Sequence, residues 1–79
     1  MSAVVVALRA QPTRAARAQN AAAAVFLAAA RMGYKAHLAV RAAQVARTDV
    51  LAGGKSAARA ISDMKRDLAL AARQPGGVA

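Results

Sequence analysis

The side chains able to do chemistry are few. The chain has one histidine, His37, three carboxylates, Asp49, Asp63 and Asp67, and three serines, Ser2, Ser56 and Ser62, with no glutamate and no cysteine. A metal shell needs three or four converging ligands, and acid–base work needs a positioned pair of titratable groups. His37 has no carboxylate within a helical turn to orient it, since Asp49 stands twelve residues on. In the sequence Ser2, Ser56 and Ser62 have no base partner of the kind an activated nucleophile needs. The lack of cysteine removes disulfides and thiolate zinc sites. The residues therefore predict a non-enzymatic chain with no catalytic residue, no metal, no cofactor and no small-molecule substrate.

One stretch imitates a known chemistry. Gly53-Gly54-Lys55-Ser56 matches the end of the phosphate-binding loop Gly-x-x-x-x-Gly-Lys-[Ser/Thr]. The pattern requires glycine where Asp49 stands, and a carboxylate repels phosphate. No strand pattern exists to carry such a loop. The stretch reads instead as a turn between two helices, with Ser56 as the N-cap of the second.

Charge points to a different class of partner. Of the 79 residues, 12 are Lys or Arg and 3 are Asp, a formal charge of +9. Residues 1–48 hold no acid at all, so a polyanion or an anionic lipid surface would meet that half more strongly. On one continuous helix, Arg14, Arg17, Arg31 and Lys35 fall within an arc of about 100°. They are the candidate polyanion-facing residues, for nucleic-acid phosphates or anionic lipid headgroups.

Position along the chain is set by helix formers and breakers. Pro12 bars a helix from passing through it, and Thr13 is placed to cap a helix beginning at Arg14. From Arg14 to Ala52 there is no proline and a single glycine, Gly33. That predicts either one long helix over about 14–52 with a weak point at Gly33, or two helices meeting there. Gly53-Gly54 ends it, and a last helix runs over 56–73 before Gln74-Pro75-Gly76-Gly77. The expected fold is all-α, two to three helices, extended or a helical hairpin rather than a compact globule. Residues 1–12 form an N-terminal segment, 13–74 an Ala-rich helical region with its turn at 53–55, and 75–79 a tail.

The N-terminal twenty residues carry arginines without acids and resemble a mitochondrial or plastid transit peptide in composition. A secretory signal is not expected, because the apolar run Ala3 to Leu8 is short and no basic region precedes it. The longest uncharged stretch, Ala18 to Ala30, has 13 residues, fewer than the ~20 a membrane span takes.

Apolar bulk is scarce. Hydrophobic residues make up 58% of the chain, yet 26 of them are alanines, whose side chain is one methyl. A GC-rich genome explains much of the Ala and Arg content, but not the shortage of acids. Small chains are marginal even with ordinary cores, so stability borrowed from a partner is expected. Two faces suit docking. Ala22, Phe26, Ala29, Ala30 and Gly33 make a small-residue seam, which lets another backbone come close. Ala57, Ile61, Met64 and Leu68 make the apolar stripe of the last helix. The function expected is that of a small structural or accessory subunit in a larger assembly, a virus or phage particle or a mitochondrial membrane complex, bound to other subunits or to itself. A nonspecific nucleic-acid-binding helix and a membrane-surface helix are the alternatives.

Overall fold

In the computed structural model, residues 13–73 are described; the expectations for segments 1–12 and 75–79 fall outside them. Three helices succeed one another: α1, Arg14–Arg31, α2, Ala36–Leu51, and α3, Ala57–Arg73. No strand occurs among the described residues. The fold is all-α, as the composition requires.

Each boundary has a local cause. Thr13 is extended, and its Oγ1 accepts a hydrogen bond from the Ala16 amide at 3.0 Å, which satisfies one of the donors every helix start leaves open. Ser56 does the same for α3, its Oγ accepting from the Arg59 amide at 3.1 Å. Lys35 is the N-cap of α2 and makes no side-chain cap bond.

Gly33 resolves the choice between one helix and two. Its φ is +93°, a left-handed conformation that side chains other than glycine's resist. The Gly33 amide donates to the Ala30 carbonyl and the Tyr34 amide to the Ala29 carbonyl, the paired bonds of a Schellman ending. The four-residue turn 32–35 then folds α2 back along α1. The second turn uses two glycines for two reasons. Gly54 has φ +76°. At Gly53, a Cβ would lie 2.9 Å from the Asp49 carbonyl oxygen, so a side chain there would force the backbone apart.

The expected extended shape or simple hairpin is corrected by α3. It returns across the other two helices, so that every helix packs on both others. The buried residues are Ala18, Ala21, Ala22, Val25 and Ala29 of α1, Ala39, Ala42, Ala46 and Val50 of α2, and Ala60 of α3. Methyl against methyl lets α1 and α2 lie close, and Val25 is the largest side chain fully buried. Leu51, Ala57, Ile61, Met64 and Leu68 close over this core while staying partly exposed.

Candidate functional site

The close packing of α1 on α2 determines what is left outside it. Between helices that touch through alanine there is room for Val25, not for a phenyl ring. Phe26 is therefore displaced to the margin, where it is half-buried. Beside it, Leu27 is 55% exposed and, across on α2, Val40 is 44% exposed. With Ala22, Ala23 and Ala43 these side chains floor a groove of about 480 Å³, edged by Gln19, Gln44 and Arg47. Gln19 and Arg47 come from the α1 start and the α2 end, which antiparallel packing brings together. The lining is apolar with amides and one guanidinium at its rim, and it holds no acid.

The seam read from the sequence is thus turned by about one residue. Ala22 and Ala29 are buried between the helices, Phe26 borders the groove, and Ala30 and Gly33 are exposed. The α3 stripe is placed differently from a free docking face. Ala57, Ile61, Met64 and Leu68 pack on the chain's own core. Leu27, Val40 and Arg47 were not expected at a site from the sequence. The available signal was that Leu27 and Val40 are bulky apolar residues outside the Ala-rich core face of their helices, which becomes readable once Gly33 is taken as a break.

The basic arc does not survive as one surface. α1 stops at Arg31, and Lys35 belongs to the start of α2, so the continuous helix on which four cations aligned is absent. Arg14 and Arg17 line a pocket of about 350 Å³ with Val50, Gly54, Lys55 and Ser56. Arg31 lies at the other end of α1, roughly 20–25 Å away along the axis. All four residues are exposed.

The loop that imitates a phosphate site is occupied by its own carboxylates. Lys55 Nζ lies 3.1 Å from Asp63 Oδ2 and 3.5 Å from Asp49 Oδ2. Asp63 also meets Arg59 Nε at 3.2 Å and Arg66 at 3.8 Å. The hydrogen bond from Lys55, then its charge and that of Arg59, hold the Asp63 carboxyl below the usual carboxylate range against the opposing pull of desolvation. The same bond to Asp63 raises the Lys55 ammonium above its ordinary value. This cluster ties the end of α2 and the second turn to α3. Tyr34 fastens the other end, its hydroxyl donating to the Leu68 carbonyl, which anchors α3.

Among the described residues, no group of three or more His or acidic side chains could hold a metal, and no helix is long and apolar enough to cross a membrane. His37 is exposed at the first turn of α2. No protein-family model, curated protein or solved structure matches this chain.

Proposed function

We propose that this chain is a non-enzymatic helical accessory or structural subunit of a larger assembly, and that it docks on its partner through the α1–α2 groove. One observation carries the reading: Phe26 and Leu27, larger than any residue of the buried alanine–valine seam, line the groove outside it together with an exposed valine, Val40. Apolar area left in water is a standing incentive to associate, at roughly 25 cal/mol per Å² covered. A thin interior makes that incentive matter more, because folding and docking then draw on the same small reserve. A virus or phage particle and a mitochondrial membrane complex are the settings that suit so basic and alanine-rich a subunit.

Photocrosslinking in the native cell tests the docking surface. A photoreactive phenylalanine at Phe26 or Val40 should give one discrete adduct, and the same group at Lys65 on α3 should give none. Val40→Glu should abolish the Phe26 adduct. Equal labelling from all positions would remove the groove from the function.

A second reading, contact with a polyanion, is favoured by Arg14 and Arg17 sharing one pocket beside Lys55. Two or three neutralised phosphates predict a log–log slope of binding against salt of about −2. Duplex DNA titrated across a salt series checks this, and a flat response removes it. For anionic lipid headgroups the corresponding check is helix content by circular dichroism with and without phosphatidylglycerol vesicles.

A further inference from the structure

We infer that the occupant of the α1–α2 groove is an amphipathic helix of two to three turns, with leucine-like side chains along one stripe and carboxylates along its edge. The inference rests on the docking role of the groove and adds the chemistry of what docks. Length comes from the lining: Gln19 to Leu27 on α1 and Val40 to Arg47 on α2 each cover about two turns, roughly 12 Å of helix axis. An apolar trough of that length between two helices accepts anchors spaced i, i+3 or i+4, and i+7.

Charge selects among occupants. Arg47 stands at the rim, and α1 with α2 carry Arg14, Arg17, Arg31, Arg41 and Arg47 against a single acid, Asp49, which Lys55 already engages. Among the described residues, Arg47 is the one charged side chain of the groove lining, on a hairpin whose net charge is positive. A second copy of the chain would bring +9 against +9, and like charges disfavour that approach. The chain's own N-terminal twelve residues carry Arg9 and no acid, so they offer Arg47 nothing. A partner edged with glutamate or aspartate gains attraction from Arg47 and hydrogen bonds from the Gln19 and Gln44 amides.

The test uses the full chain and three synthetic helical peptides of about 14 residues. The first has leucines at i, i+3, i+4 and i+7 flanked by glutamates, the second has lysines for the glutamates, and the third has glutamines for the leucines. Calorimetry at low salt should show the glutamate-flanked peptide binding about tenfold or more tighter than the lysine-flanked one. The advantage should shrink as salt rises. Amide shifts should map to Ala23, Leu27, Val40 and Ala43. Val40→Glu should abolish binding, and Arg47→Glu should reverse the charge preference while leaving helix content unchanged. Equal binding of the first two peptides at the groove would overturn the acidic partner and leave groove docking standing. Binding of neither peptide to a folded chain, or a dimer in sedimentation that Val40→Glu dissolves, would overturn the helical partner altogether.

Discussion

Tyr34 and Asp63 show how much of this fold hangs on single polar side chains. The Tyr34 hydroxyl reaches from the first turn to the Leu68 carbonyl, a contact no stripe of alanine could replace. Tyr34→Phe should cost about 1 kcal/mol, read as a lower urea midpoint. Asp63 gathers Lys55, Arg59 and Arg66 while its side chain is 17% exposed. Its lowered pKa contributes stability that is fully present above the ordinary carboxylate value near 4 and is lost as pH falls through the folded-state value. Lys55 contributes in the opposite sense: its raised pKa gives stability present below about 10 and lost as pH rises through the folded value. With three side-chain carboxylates in the whole chain, Asp63→Asn should flatten most of the acid limb. Urea midpoints measured from pH 7 to pH 2 check this, and an acid limb as steep as the parent's would contradict it. Gly54→Ala should destabilise by about 1 kcal/mol or more, since φ +76° is left-handed.

At the scale of elements, the α1–α2 pair is a close-packed hairpin built on methyl groups. Ala46 is fully buried in it, so Ala46→Leu must push the helices apart and should cost about 1–3 kcal/mol. Ala23 is exposed on the groove side, and Ala23→Leu should change stability by no more than about 0.5 kcal/mol. Paired denaturation curves decide whether the seam lies where the burial places it; equal effects would mean a looser packing. Most helix ends were readable from sequence: Thr13 and Ser56 cap as their types demand and Gly53-Gly54 marks the second turn, whereas Gly33 left one helix or two open until its φ of +93° fixed a break. The rotational setting of α1 was not. With alanine on several faces, the hydrophobic pattern has almost no contrast, and Phe26, the bulkiest residue, drew the expected seam towards itself. Close helix approach excludes that ring and selects the face with Ala18, Ala22, Val25 and Ala29.

For the whole molecule, the consequence is a bundle with little apolar reserve. Its stability should sit at the low end of the range for folded domains, about 5 kcal/mol or below, with a broad melt in calorimetry of the dilute chain. A groove ligand at a hundredfold excess over its Kd should add about 2.7 kcal/mol. A sharp, high-temperature transition in the free chain would show that the alanine interior suffices alone. The site was less legible than the fold for a reason of geometry: Leu27 and Val40 stand on different helices, and only the folding of α2 onto α1 makes them neighbours. The basic arc failed conversely, since Arg14, Arg17, Arg31 and Lys35 were aligned on a helix that Gly33 interrupts.

By itself the sequence determined helix type, the capped starts at Thr13 and Ser56 and the sparseness of chemistry, because those depend on local propensity, capping and residue inventory. Tertiary structure alone decided that α3 folds onto the hairpin, that Lys55 is held by Asp49 and Asp63, and that a groove opens beside Phe26. These depend on which faces meet, and in an alanine-rich chain faces differ by so little transfer free energy that only simultaneous packing of all three helices distinguishes them.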